Sequence, residues 1–170
     1  MESDDVSGLV GKVFWVNLSV QRMIDLKKDE FFIPQYVELR NRYVDLLLTN
    51  PVTAEETKEW LRKEDIEVRC LVDDHVLIGA VILYLDRQGE VAFFVKNRNR
   101  GTGSQLLEII ERVAKGRRLN SLWAWVMSSN VTARKAFTKN GYLLEGAAER
   151  RYKGKVLHGF VLRKKLKEGA

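Results

Sequence analysis

The sequence predicts a single mixed α/β domain in which helices flank a mostly antiparallel central sheet. The chain has 170 residues, which is the usual length of one domain. Hydrophobic residues make up 45% and charged residues 31% of it, as in ordinary globular proteins. Short β-rich runs alternate with segments of helical periodicity. Because there are only two prolines and no repeat or low-complexity stretch, we expect one domain over residues 1–170.

The front of the chain is predicted to contain one strand and two helices. The run Val13–Val16 is rich in β-forming residues and is the expected first strand. Residues 35–49 carry apolar side chains at helical spacing and form the first predicted helix. Thr53 followed by Glu56 fits a capping box, which predicts a second, short helix ending near Leu61.

The rest of the chain is predicted to form six strands and two helices. The first three strands are separated only by short turns, so they should pair as an antiparallel meander. Each of the two helices ends at a glycine. The element order is therefore β-α-α-β-β-β-α-β-α-β-β. The predicted strands cover residues 66–72, 76–85, 90–95, 122–126, 142–151 and 155–162, and the predicted helices cover residues 103–115 and 130–140.

Charge is distributed unevenly along the chain, although the net formal charge is only +6. Residues 1–95 carry a net charge of −7, residues 96–139 one of +8 and residues 140–170 one of +5. A basic region attracts anionic partners such as nucleic acids or phosphorylated cofactors. The positive charge begins at Lys96, immediately before a glycine-containing loop. A phosphorylated small molecule bound at that loop explains this distribution better than nucleic acid does.

The sequence shows no sign of a metal site, a disulfide framework or a membrane span. Cys70 is the single cysteine, and the two histidines, His75 and His158, lack metal-ligand spacing. The first residues are acidic and lack the apolar core of a signal peptide. The longest apolar stretch, residues 76–85, is far shorter than the ~20 residues of a membrane helix. We expect a cytoplasmic protein without a metal or a membrane partner.

The loop between the strand at 90–95 and the next helix is the most informative segment. Gly101 and Gly103 allow a tight turn that aims several backbone N–H groups at one point, at the positive end of the helix. Arg98 and Arg100 add positive charge beside it. Such a site suits a phosphate or pyrophosphate. The motifs of phosphate-loop ATPases and of dinucleotide-binding folds both fail to match here.

Two motifs of the sequence resemble those of the GCN5-related N-acetyltransferase (GNAT) superfamily. Residues 98–103, Arg-Asn-Arg-Gly-Thr-Gly, match its Gln/Arg-x-x-Gly-x-Gly/Ala motif. Further along, the Asn, Ala, aromatic, Gly and second aromatic of segment 130–142 are similar to its next motif. The resemblance covers residues 66–162 and implies the GNAT fold, which has the element order predicted above.

The resemblance implies an enzyme that transfers an acetyl group from acetyl-CoA to a primary amine, by direct attack in a ternary complex. Residues 13–61 resemble the branch of ribosomal-protein and amino-sugar acetyltransferases. The acceptor is therefore expected to be an amino-sugar nucleotide, with a protein N-terminus as the alternative. The cofactor is expected to bind residues 90–142, and the acceptor to face residues 13–65 and 142–162. Family members are often dimers, so a homodimer is left open.

The resemblance also assigns the cofactor contacts. The backbone of the strand ending at Val95 is expected to bind the pantetheine arm, the amides of the glycine loop the pyrophosphate, and the second-motif helix the other side of the cofactor. Arg134 and Lys135 are candidates for the adenosine phosphate, although an ordinary solvated helix face explains them equally well. The expected cofactor-binding residues are Phe94, Val95, Arg98, Arg100, Gly101, Thr102, Gly103, Ser104, Asn130, Ala133, Arg134 and Phe137.

Aminolysis of a thioester requires a neutral amine, a positioned carbonyl and a stabilised thiolate. Many family members use a tyrosine of the second-motif helix as the acid, but Phe137 occupies that position here, which leaves the acid open. Glu90, on the strand leading to the cofactor, is the base we expect, acting directly or through a water. The alternative is that Glu90 is an ordinary surface carboxylate at the end of a hairpin. Tyr142 and Cys70 are expected to be core residues.

Three residues of the first long helix, Arg40, Asn41 and Tyr43, are expected to bind the acceptor. Arginine and asparagine suit a phosphorylated or carboxylated acceptor. The acidic charge of residues 1–95 would instead favour a cationic amine or a basic peptide. The sequence leaves this choice open.

Two other classes of function compete with this one. A nucleic-acid-binding module would show basic and aromatic residues on one exposed face, whereas Trp123 and Trp125 alternate with small apolar residues, as in a core strand. A catalytically weak CoA-binding sensor or scaffold is compatible with Phe137. We therefore expect an amine acceptor, small molecule or peptide, and no nucleic acid.

Overall fold

The computed structural model describes residues 20–167. Seven of its strands form one sheet with helices on both faces. The strands are β1 (Gln21–Asp25), β2 (Ile66–Asp73), β3 (Val76–Tyr84), β4 (Glu90–Val95), β5 (Ser121–Met127), β6 (Leu143–Tyr152) and β7 (Lys155–Lys165), and the α-helices are α1 (Ile33–Asn41), α2 (Val44–Leu47), α3 (Ala54–Leu61), α4 (Thr102–Gly116) and α5 (Val131–Lys139).

The strand order in the sheet is β1-β2-β3-β4-β5-β7-β6. All neighbouring strands are antiparallel except β4 and β5, which run parallel because α4 crosses between them. The predicted fold class, a mixed and mostly antiparallel sheet flanked by helices, is therefore confirmed. Within residues 20–167 no helix has the length and apolar composition needed to cross a membrane.

The front of the chain differs from the prediction in two ways. The expected strand Val13–Val16 lies outside the described residues, and β1 was not predicted. Only Ile24 of this edge strand is buried, so its sequence lacks the alternation that indicates a strand. The predicted helix over 35–49 is interrupted after Asn41 and ends at Leu48, whose φ of 53° is left-handed. The capping box of Thr53 and Glu56 is confirmed, with hydrogen bonds in both directions.

Two hydrophobic cores lie on opposite faces of the sheet. One packs α1 and α3 against one face, with Tyr36 fully buried. The other packs α4 and α5 against the opposite face, with Ile110 fully buried. Successive residues of β3 alternate between them, since Ala80 and Ile82 belong to the first core and Val81 to the second. Burial on both faces fixes the register of the central strands.

Candidate active site

The parallel strands β4 and β5 are joined at a single point and then diverge. Their only bridge pairs Glu90 with Trp123, where the Trp123 N–H donates to the carbonyl of Gly89 at 3.1 Å. Beyond it, β4 stays paired with β3, and β5 stays paired with β7. The gap between the two strands opens into a cavity of about 480 Å³.

Backbone groups of β4 line this gap, where none of the seven described strands pairs with them. The Lys96 N–H donates to a carbonyl of β3 at 2.8 Å. Backbone groups alternate in direction along an antiparallel strand, so those of Phe94 face β3 and those of Phe93 and Val95 face the gap. The Val95 carbonyl accepts a hydrogen bond from the Tyr43 hydroxyl at 2.6 Å. The backbone groups of Phe94, which was expected to contact the cofactor, are therefore turned toward β3, and those on the gap side belong to Phe93 and Val95.

The N-terminus of α4 points into the same cavity. Gly101 precedes the helix with a φ of 74°, in the left-handed region that favours glycine, and no side chain within residues 20–167 caps the first turn. In the described part of the chain, the first-turn N–H groups thus have no side-chain acceptor. Arg98 and Arg100 are exposed and line the cavity beside this turn, together with Thr102, Gly103 and Ser104. The arrangement expected for an anion-binding loop is present.

Helix α5 closes the opposite side of the cavity. Ala133 and Phe137 line it, and the Asn130 side chain caps the helix by accepting from the Ala133 N–H at 3.2 Å. Lys135 also lines the cavity. Arg134 does not, because its guanidinium lies over the Phe160 ring, 5.0 Å from the ring centre. Of the two candidates for the adenosine phosphate, the structure therefore places Lys135 at the cavity.

Comparison with known proteins identifies the family. The family model described as Acetyltransferase (GNAT) family matches residues 22–142, which is more than half of the chain. The chain belongs to the GNAT acetyltransferase family. It is therefore an N-acetyltransferase, and its cofactor is acetyl-CoA.

Individual relatives of this acetyltransferase are distant. It is 29% identical over 128 residues to YwnH of Bacillus subtilis (strain 168), a candidate phosphinothricin acetyltransferase, covering 64% of this chain and 78% of the relative. The fold is similar to YncA of Salmonella typhimurium, solved with acetyl-CoA (TM-score 0.75, 16% identity, 88% and 96% of the two chains). It is also similar to a ribosomal-protein-alanine N-acetyltransferase of Brucella melitensis (TM-score 0.73, 18% identity, 86% and 99%).

The three residues expected to bind the acceptor have different surroundings in this acetyltransferase. Arg40 and Tyr43 line the cavity. The Arg40 guanidinium also donates to the Asn50 carbonyl and to the Thr49 hydroxyl. Asn41 does not line the cavity, because its side-chain amide exchanges two hydrogen bonds with the backbone of Val52, at 2.9 and 3.0 Å. It holds the end of α1 against the segment before α3.

Glu90 is buried at the point where β4 and β5 diverge, with 6% of its surface exposed. One carboxylate oxygen accepts from Nη2 of Arg150 at 2.7 Å, and the other from Nη1 of Arg87 at 3.4 Å. Both oxygens are thus engaged with guanidinium groups. These contacts favour a role in holding Arg150 over the predicted role as a base.

The Arg150 side chain is the principal site feature that the sequence did not reveal. It projects from β6, two strands beyond β5 in the sheet, and lines the cavity. Its guanidinium carbon lies 5.0 Å from the ring centre of Trp125 and 5.8 Å from that of Trp123. Their alternation with apolar residues correctly predicted a strand. It did not predict that both tryptophan side chains would be only half-buried.

The cavity wall is basic at both ends. Among the described residues that line it, seven are basic and one, Glu90, is acidic. The acidic charge of residues 1–95 therefore lies mostly elsewhere on the molecule. The expectation that this charge would attract the acceptor is not supported by the lining. The basic residues are Arg40, Arg87, Arg98, Arg100, Lys135, Lys139 and Arg150.

Two groups that could take part in proton or acyl transfer are removed from the cavity. Cys70 is fully buried in β2, and burial raises the pKa of its thiol well above the usual value. Tyr142 is 1% exposed, with its ring 4.9 Å from that of Phe137. Burial also raises the pKa of the Tyr142 hydroxyl. Both residues belong to the core, as the sequence predicted.

Proposed function

We propose that this protein transfers the acetyl group of acetyl-CoA directly to a primary amine, with both substrates bound in the cavity between β4 and β5. The observation that carries the proposal is the divergence of these strands after the Glu90–Trp123 bridge. It leaves strand-like backbone groups open, next to an uncapped helix N-terminus and a basic wall. One end of the cavity therefore suits an amide-containing, phosphorylated ligand.

The residues present fit the cofactor. Val95 and Phe93 would offer backbone groups to the pantetheine amides, as a neighbouring strand does. The first-turn amides of α4 would bind the pyrophosphate, at the positive end of the helix. Arg98, Arg100 and Lys135 would balance the phosphate charge. Asn130, already the cap of α5, keeps its side-chain N–H₂ for the pantetheine arm.

Acetyl-CoA supplies an activated acyl group as a thioester when it is bound. The amine nitrogen would bond to the acetyl carbon, the carbon–sulfur bond would break, and the proton that the amine loses would balance the one that the thiolate takes up. Direct attack is supported by the burial of Cys70, the single cysteine of the chain, away from the cavity lining. Positioning two bound reactants accounts for a large part of such a rate enhancement.

The basic acceptor end supports an anionic acceptor. Arg87 and Arg150 both contact the Glu90 carboxylate there, and Arg40 lines the same cavity. We therefore propose an amino-sugar nucleotide as the first acceptor to be tested, and rank a protein N-terminus second. Polyamines and basic peptides, which the acidic front half of the sequence had favoured, would be repelled by this end of the cavity.

The cofactor part of the proposal is tested by thermal unfolding with and without acetyl-CoA. At about 100 times its Kd, a ligand stabilises the folded state by ~2.7 kcal/mol, so the melting temperature should rise. A Cβ added at Gly103 would lie 2.9 Å from the Phe93 ring, which would displace that ring beside the gap. The variant Gly103→Val should abolish the rise.

The matched control is Gly116→Val at the other end of α4, where a Cβ meets nothing within 4 Å. This variant should keep the rise in melting temperature. Absence of any shift in the wild-type protein at millimolar acetyl-CoA would contradict cofactor binding. A shift without thiol release for any amine would identify a CoA-binding sensor instead of an enzyme.

A further inference from the structure

Arg150 has hydrogen-bonding capacity that the folded chain does not use. A guanidinium carries five N–H donors, and in the described part of the chain its side-chain hydrogen bond is the one from Nη2 to Glu90. One third of the side chain is exposed, and it lines the cavity. The donors on Nε and Nη1 are therefore available to a ligand in the cavity.

The guanidinium is also held in place. Glu90 fixes one edge of it, and the indoles of Trp123 and Trp125 support its face by cation–π contact. Trp125 is itself fixed, because its indole N–H donates to the Ala148 carbonyl at 3.0 Å. A positioned arginine fork is suited to bidentate recognition of a carboxylate or a phosphate.

The surroundings favour a negatively charged ligand over a neutral one. Glu90 compensates one positive charge, whereas Arg150, Arg87 and Arg40 contribute three. Within residues 20–167 the lining holds no second carboxylate. An anion that binds here would offset part or all of the remaining positive charge of the acceptor end.

We infer that Arg150 is a specificity-determining residue, which binds an oxyanion of the acceptor, a carboxylate or a phosphate, and thereby selects amines that carry one. This inference rests on the proposed function. It assigns Glu90 and Trp125 as positioning residues that orient the Arg150 fork.

The experiment measures release of CoA thiol for pairs of amines in which one member carries an oxyanion that the other lacks. One arm compares L-methionine with L-methioninamide, and a second compares 2-aminoethyl phosphate with ethanolamine. A third compares a 4-amino-sugar nucleotide with the free 4-amino sugar. The wild-type protein should acetylate the anionic member of at least one pair faster, and the arm that responds identifies the oxyanion.

The variant Arg150→Met should lower kcat/KM for that anionic amine by about 10- to 100-fold, as expected for loss of a charge-assisted hydrogen bond, with little change for the neutral partner. Arg150→Lys keeps the charge without the fork and should retain part of the preference. The matched control is Arg151→Met, which removes the same charge from the neighbouring, exposed position outside the cavity. It should leave both members of the pair unchanged.

Folding of each variant is checked by the acetyl-CoA-induced rise in melting temperature, which depends on the other end of the cavity. Equal rates for the members of all three pairs, or a preference that survives Arg150→Met, would overturn the inference. Either outcome leaves acetyl-CoA binding and transfer to neutral amines intact, so failure here is distinguishable from failure of the proposed function.

Discussion

The packing of Trp125 on Gly159 offers the sharpest test of the arrangement around Arg150. The indole crosses over β7 at Gly159 to reach the Ala148 carbonyl of β6. A Cβ at Gly159 would lie 2.4 Å from two ring carbons of Trp125 and 2.7 Å from the Val126 carbonyl oxygen. The absence of a side chain at this one position is what allows the indole to lie flat and support Arg150.

The cost of Gly159→Ala can be worked out from these distances. Nonbonded carbon atoms prefer ~3.5–4.0 Å, so the new methyl group would overlap the indole by about 1.1–1.6 Å. The Val126 carbonyl, which the methyl group would also approach, belongs to the backbone of β5 and has little freedom to retreat. Overpacking of this kind costs ~1–3 kcal/mol, which lowers the melting temperature by about 2–4 °C per kcal/mol for a chain of this length.

The assay is urea and thermal unfolding, followed by kinetics with an anionic acceptor. Gly159→Ala should be destabilised and should show a raised KM for the acceptor, because the indole must move from under Arg150. Gly146→Ala is the matched control on β6, where a Cβ meets nothing within 4 Å. It should be neutral or stabilised by up to ~1 kcal/mol. A free energy of unfolding for Gly159→Ala within about 0.5 kcal/mol of the wild-type value, the usual range for surface substitutions, would refute this packing.

Two further predictions concern buried carboxylates. Burial raises the pKa of Glu67, but hydrogen bonds from Arg117 and Arg69 outweigh it and hold the pKa below its usual value. At pH values above the unfolded-state pKa, ionised Glu67 therefore stabilises the folded protein. This stabilisation is lost as the pH falls through the folded-state pKa, which is the lower of the two. Glu67→Gln should lower the free energy of unfolding by about 1–3 kcal/mol near neutral pH. Urea unfolding at several pH values should show the difference between wild type and variant shrinking in acid. A difference that stays constant with pH would contradict a stabilising role of the ionised carboxylate. For Glu90→Gln we expect a several-fold rise in acceptor KM and an unchanged shape of the pH–rate profile, whereas loss of its acidic limb would identify Glu90 as the base.

The loop and helix proposed to hold the cofactor phosphates were predictable as structural elements because they are local in sequence. The glycines at 101 and 103 and the helix behind them form one continuous segment, and the resemblance placed the second-motif helix opposite it. The acceptor end was not predictable in the same way. Asn41 stood at a plausible spacing for the acceptor, but a hydrogen bond to Val52 directs its side chain away from the cavity. The same limit applies to the cofactor candidate Arg134, whose side chain is directed away by a contact with Phe160. Only contacts between distant segments decide such orientations.

By itself the sequence determined most of the elements from residue 54 onward and the loop that suits a pyrophosphate, because periodicity, caps and glycine placement act over a few neighbouring residues. The resemblance of two short motifs indicated the family. The tertiary structure alone decided where the charges lie and which groups meet. It brought Glu90, Arg150 and Trp125 from three strands to one end of the gap, and it left most of the acidic front half outside the cavity lining. Net charge along a chain is a property of sequence, but the potential inside a cavity depends on which side chains the fold turns toward it.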